Sequence, residues 1–206
     1  MKMPVPASTP WFLKKVYPSL TWHIPEKTKA VYLTFDDGPT PEVTDWVLKE
    51  LQAYQAKATF FCIGKNVVQH PKLYHKILEA GHRAGNHTFN HLNGWKHDTD
   101  TYLSNAEEAS QFIDSPLFRP PYGKLRYRQI KKLLRSGYKI IMWDVLSIDW
   151  NRELSPDTCA GNVIKNSVNG SIIVFHDSLK AEKNLKQALP KVLSHFKDEG
   201  FEFKTL

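Results

Sequence analysis

The chain has 206 residues, 41% hydrophobic and 24% charged, which suits one well-filled core and excludes a disordered composition. No apolar run approaches the length that spans a bilayer, and the formal charge of +7 would favour an anionic partner without identifying it. Cys62 and Cys159 lie far apart and outside any CxxC pair, so they read as reduced core thiols rather than a disulfide or a nucleophile.

Residues 1–29 are proline-rich and read as an arm packed on the body, anchored by Trp11, Phe12 and Val16. The first twenty residues hold no continuous apolar stretch and no small-residue cleavage site, so no export signal is expected in the chain as written. The expected location is the cytoplasm by default, and the cell envelope or the exterior for a chain whose leader has been removed. From Ala30 onward β-rich runs alternate with helical patterns, without internal repeats or low-complexity linkers, which predicts one α/β domain over 30–206.

In chain order the strand candidates are AVYLTF from Ala30, ATFFCI from Ala58, Arg83 to Asn86, LFRPP from Leu117, YKIIMWDV from Tyr138, SIIVFH from Ser171, and FEFKTL at the end. Seven candidates fit a barrel-like parallel sheet. Thr40-Pro41 and Ser155-Pro156 are predicted helix starts; Gly81, Gly137 and Gly200 are predicted stops, and Pro190 is expected to interrupt and kink the last helix. The basic stretch KLRYRQIKKLLR carries a helical apolar stripe at Ile130, Leu133 and Leu134, so its cations read as a solvated helix face and no nucleic-acid partner is expected. His23, His70, His75, His82, His97 and His195 read as ordinary surface or loop residues, and Trp143 as core.

Ligand sites in parallel α/β proteins collect at the C-terminal ends of strands. There the sequence places Asp36 and Asp37 after the first strand, Arg119 after the fourth, and His176 and Asp177 after the run from Ser171. His87 and His91 are four apart, which on a helical turn presents both imidazoles to one side; with Asp37 they make a three-ligand set with an open position, as in hydrolytic metal sites. Adjacent carboxylates repel, and a strand points them to opposite faces, so a cation on Asp37 would leave Asp36 free for proton transfer.

These residues fall in four short blocks, TFDDGP from Thr34, HTFNH from His87, RPPYG from Arg119 and IVFHD from Ile173, and a fifth, IDW from Ile148, lies between the last two. In this order and at this spacing they resemble the polysaccharide deacetylases of carbohydrate esterase family four, the NodB-homology domain. The resemblance implies a single-domain deformed (β/α) barrel with about seven parallel strands, fewer than the usual eight. It also implies a divalent cofactor, zinc by ligand chemistry with cobalt or nickel as alternatives, held by Asp37, His87 and His91. By motif position Asp36 would be the general base, oriented by Arg119, and His176 the general acid, paired with Asp149. The backbone N–H of Tyr122 would stabilise the oxyanion, while Tyr122, Trp150 and Pro121 would line the sugar groove. Amide hydrolysis calls for these residue types, since it needs a polarised carbonyl, a deprotonated water and a proton for a poor leaving nitrogen. One departure is that Leu146 stands where the family's fourth motif often carries an acid, with Asp144 two residues earlier, whose role is left open.

The resulting expectation is a metal-dependent hydrolase that removes N-acetyl groups from a hexosamine polymer or oligomer, chitin-like or peptidoglycan glycan, and acts as a monomer. An O-acetyl esterase acting on xylan-like sugars is the near alternative. A carbohydrate-binding domain without catalysis is a third, against which stands the complete set of acid, base and ligands.

Overall fold

Strand β1 (Ala30–Asp36) is buried at all seven positions, because helices cover one of its faces and the barrel interior occupies the other. Val31, Leu33 and Phe35 face the helical layer, where they meet Val47, Leu51, Ile77, Val163 and Leu189. Tyr32 faces inward and packs with Phe61, Leu117, Ile141 and Ile172 at the base of the barrel. In one direction the sheet runs from β1 through β2 (Ala58–Cys62), β3 (Arg83–Asn86), β4 (Leu117–Phe118) and β5 (Lys139–Ile140). In the other it runs through β7 (Ile172–His176) to β6 (Val145–Leu146), and every pairing is parallel. These seven strands curl into the expected deformed (β/α) barrel, and β8 (Glu202–Phe203) adds a short pairing at the start of β1. The computed structural model describes residues 5–206, so the first four residues of the arm fall outside it.

The run YKIIMWDV, expected as one strand, is split into β5 and β6, which lie on opposite edges of the sheet. Four residues, Ile141 to Asp144, therefore join the two edges and close the barrel through the chain itself. Local β propensity cannot reveal this bend, because it is set by which neighbours the two halves find across the fold.

The helices are α1 (Trp11–Val16), α2 (Val43–Ala53), α3 (Gly64–Gln69), α4 (Pro71–Glu79), α5 (Thr99–Ser110), α6 (Tyr127–Arg135), α7 (Pro156–Asn166) and α8 (Glu182–Asp198). Ser155 caps α7 as expected, accepting the Thr158 N–H, and Gly81, Gly137 and Gly200 follow α4, α6 and α8 at positive φ. Thr40 does not cap α2: Glu42 sits at φ 67° and delays the helix to Val43. Pro190 does not interrupt α8, which continues to Asp198.

Trp11, Phe12 and Val16 do not anchor the arm but are 68%, 51% and 61% exposed. The turn of α1 puts Leu13 and Tyr17 on its inner side instead, and with Leu20 and Trp22 they pack on Phe118, Leu125, Ile140 and Met142. The arm also joins the sheet by isolated bridges, Ser8 to Val145, Thr21 to Ile141 and His23 to Ser171.

Candidate active site

On the inner face of β1, two residues above Tyr32, Thr34 leads to Asp36 at the rim. Arg119 enters from the end of β4 and crosses the interior, fully buried, with its guanidinium 4.1 Å above the Phe61 ring. Its Nη1 donates to Asp36 Oδ1 at 2.8 Å and to Thr34 Oγ1 at 2.6 Å. Its Nε and Nη2 donate to the carbonyls of Ile141 (3.3 Å) and Met142 (3.0 Å), in the segment that joins β5 to β6. Burial pulls the guanidinium below its ordinary pKa, against the opposing charge and hydrogen bond of Asp36.

Asp37 diverges from Asp36 by leaving the strand, with φ 82°, rather than by simple alternation. His87 and His91 are not on a helix, as their spacing suggested, but in a loop after β3 where Thr88 and His91 both have positive φ. That loop brings the two rings to 5.1 Å between centroids. His91 Nε2 lies 3.1 Å and His87 Nε2 3.7 Å from Asp37 Oδ1, and one donor atom from each of the three residues falls within 4.8 Å of the others. Burial would raise the Asp37 carboxyl, but the His91 hydrogen bond and the charges of His176, His87 and His91 hold it far below the ordinary range. Burial pushes His87 down to about 4, so the ring is neutral. Its Nδ1–H donates to the Arg119 carbonyl at 2.7 Å, which leaves the Nε2 lone pair facing Asp37. Two imidazoles and a carboxylate so prepared fit a divalent transition metal.

His176 ends β7 directly beside Asp36 in the parallel register, so the two side chains leave the sheet on the same face. Both oxygens of fully buried Asp149 hold it: Oδ1 accepts Nδ1–H and Oδ2 the backbone N–H, each at 2.8 Å. Burial alone would lower the ring's pKa, but the charge and hydrogen bond of Asp149, with Asp37 and Asp36 behind, raise it to about 9. Trp150 packs edge-on against this ring, 4.7 Å between centroids.

Across the mouth, Tyr122 at φ 61° tops the 3-10 turn Pro121–Gly123 and is 60% exposed, its ring 4.7 Å from that of His91. Pro121 is buried in this turn and shapes it rather than offering a face to a sugar. Gly123 has φ 65°, and a Cβ there would lie 2.7 Å from the Trp143 ring; Trp143 is only partly buried and touches three apolar clusters. Positive φ recurs around the site at Asp37, Thr88, His91, Tyr122 and Ile148, the last a β-branched residue one position before Asp149. Each such conformation costs about 1–3 kcal/mol and persists only where the surroundings impose it, as at functional sites.

Several further residues support the site; of these the sequence placed Asp177 at a strand end without assigning it a role, and did not mark the others. Asp177, fully buried, accepts the Gly38 N–H at 3.0 Å and the Thr44 hydroxyl at 2.5 Å, and a Cβ on Gly38 would come within 2.0 Å of it. Burial, helped by the charge of Asp37 and opposed by those hydrogen bonds, pushes its carboxyl up to about 8. Asn66 donates to the Asp37 carbonyl, and Asn184 to those of Asp149 and Asn151. Thr34 and Asp177 lie within the motif blocks, the one available signal, whereas Asn66 and Asn184 sit on helices that carry none. His82 is likewise no surface residue: it is buried, packs edge-on against Phe60, and its Nδ1 accepts the Ala58 N–H, while burial lowers it to about 4.

Residues 23–141, more than half the chain, match the polysaccharide deacetylase family. The chain belongs to that family. A peptidoglycan-N-acetylglucosamine deacetylase from Bacillus cereus is 32% identical to this family member over 198 residues, covering 91% of each chain. The crystal structure of a peptidoglycan N-acetylglucosamine deacetylase in complex with 4-naphthalen-1-yl-N-oxidanyl-benzamide superimposes with a TM-score of 0.88 at 32% identity, covering 96% of this chain and 95% of the other. A family-four pseudoenzyme from Bacillus anthracis shares the fold, with a TM-score of 0.78 at 24% identity over 90% of this chain and 66% of the other. Family fold alone therefore does not guarantee turnover, and catalysis has to be argued from side chains.

Proposed function

We propose that this polysaccharide deacetylase is an active metal-dependent hydrolase that removes N-acetyl groups from a hexosamine glycan of the peptidoglycan type. The observation that carries the reading is the separation of two sequence-adjacent carboxylates, Asp37 against two imidazoles and Asp36 against a buried guanidinium, with a cationic His176 level with Asp36. Such an arrangement is a poor device for stability, since exchanging a buried ion pair for packed apolar groups is often neutral or stabilising. The peptidoglycan assignment leans on the Bacillus cereus relative.

Asp37, His87 and His91 would hold the cation, which when bound polarises the amide carbonyl and makes water acidic enough to attack; the donor set suits zinc, with cobalt and nickel as alternatives. Asp36 takes the proton of the attacking water, and Arg119, its Nη1 also bound to Thr34 Oγ1, holds the carboxylate in place. His176 carries its transferable proton on Nε2, because Nδ1–H is committed to Asp149, and gives it to the leaving nitrogen. The Tyr122 backbone N–H donates to the oxygen that becomes negative, and the Tyr122 and Trp150 rings flank the sugar.

The test is a mass-resolved assay of acetate loss from N-acetylglucosamine oligomers and peptidoglycan fragments, with acetylated xylan in parallel. The reading expects metal-dependent deacetylation of the amino sugars. Loss from xylan alone would make the protein an esterase, and no loss from any glycan would place it with the pseudoenzymes.

A further inference from the structure

We propose that Asp144 is a positioning residue for the general base, acting by fastening the N-terminal arm across the break between β5 and β6; the inference rests on Asp36 being that base. Between the two half-strands only the Ile141 and Asp144 N–H groups reach the sheet, at the Phe118 (2.8 Å) and Ile172 (3.0 Å) carbonyls, and the remaining polar groups divide between Arg119 and the arm. From inside the barrel, Arg119 donates to the Ile141 and Met142 carbonyls. From outside, the Thr21 N–H donates to the Ile140 carbonyl (2.9 Å) and the Met142 N–H to that of Thr21 (2.7 Å). Thr9 supplies its hydroxyl to the Trp143 carbonyl and its N–H to that of Asp144, each at 2.8 Å, and the Leu146 N–H donates to Ala7 (2.8 Å). The segment that aims the Arg119 fork is thus held from behind by the arm.

One carboxylate clamps two points of that arm. Asp144, with its side chain only 8% exposed, pairs through Oδ1 with Lys14 of α1 and through Oδ2 with His23 Nδ1 at 2.6 Å. The route from Asp144 to the chemistry is continuous: arm, Ile141–Met142 carbonyls, guanidinium, Asp36. A planar fork bound at four acceptors transmits a shift of its carbonyls to the carboxylate it holds.

Asp144→Asn keeps the side chain's size but removes the charge. Lys14 and His23, 35% and 33% exposed, can then turn to water, so the fold is retained. In the metal-loaded enzyme acting on an N-acetylglucosamine oligomer, kcat should fall about tenfold with KM unchanged, the scale set by sub-ångström misplacement of a reacting group. In an Asp36→Asn background the same change should cost nothing more, because the group it positions is gone. The buried Arg119 guanidinium N–H signal, assigned by its disappearance in Arg119→Lys, should shift in Asp144→Asn and stay put in Trp11→Ala, which alters an exposed face of the arm. Equal losses in both backgrounds, or an unmoved Arg119 signal, overturn the proposal. If the wild-type protein releases no acetate from any glycan, the deacetylase reading fails, and the Arg119 signal still decides whether the arm reaches the fork.

Discussion

The two ends of the barrel differ in how they treat charge. At the N-terminal ends of β4 and β5, between α5 and α6, lies an open cleft of about 730 Å³ bordered by Glu107, Asp114, Lys132 and Arg135, all of them exposed. Water screens these groups, and nothing converges on one point. At the C-terminal rim Asp36, Asp149 and Arg119 are all buried, each held by specific partners, and the backbone around them is forced into positive φ. Enclosing charge costs several kcal/mol per ion unless it is compensated. The rim sustains that cost repeatedly while the open cleft does not, so function is located by the company that buried charges keep rather than by the presence of a cavity.

The largest effect expected at the rim comes from the ligand set. Chelation, or His91→Ala, should reduce deacetylation to background; a divalent transition metal should restore the chelated wild type but not the variant. Full turnover by metal-free protein would erase the distinction between the two ends. Asp36→Asn should next cut kcat by about 10²–10⁴-fold while bound metal, read by elemental analysis, stays at the wild-type level. Loss of metal together with activity would mean that both carboxylates are ligands.

Asp149→Asn tests the electrostatics. The His176 pKa is raised from 6.5 to about 9 against the effect of burial, so the pair's contribution to stability is complete below pH 6.5 and fades as pH rises through about 9. The acid's proton follows the same course, and the variant's pH–rate profile should lose its alkaline limb at lower pH than the wild type's. An unmoved limb would separate Asp149 from the acid. The smallest effect belongs to the other end: Lys132→Ala breaks an exposed pair with Asp100 and should change stability by no more than about 0.5 kcal/mol, with kcat/KM unaltered.

Much of the rim was legible because its residues cluster in short blocks at strand ends, where side-chain type alone limits the chemistry. The continuous apolar runs of β1, β2 and β7 announced buried parallel strands, and Ser155 announced α7. Elsewhere the sequence misled where a non-local partner decides the outcome. His87 and His91 converge through a loop with two positive φ values, a conformation the HxxxH spacing does not encode. The split of YKIIMWDV depends on Arg119 from one side and the arm from the other, and the arm's inner face is selected by the core it meets. His82 is drawn into the interior where its Nδ1 accepts the Ala58 N–H of β2, a donor distant in the sequence.

The central claim, that this rim runs acid–base hydrolysis of an amide, is tested most directly by His176→Ala assayed on two substrates with metal content measured first. An N-acetylglucosamine oligomer needs a proton on its leaving nitrogen, whereas an activated aryl acetate leaves unaided. With metal retained, the oligomer rate should fall by about 10²–10⁴-fold and the aryl acetate rate far less. Equal losses on both substrates would contradict the account and remove His176 from the acid's role.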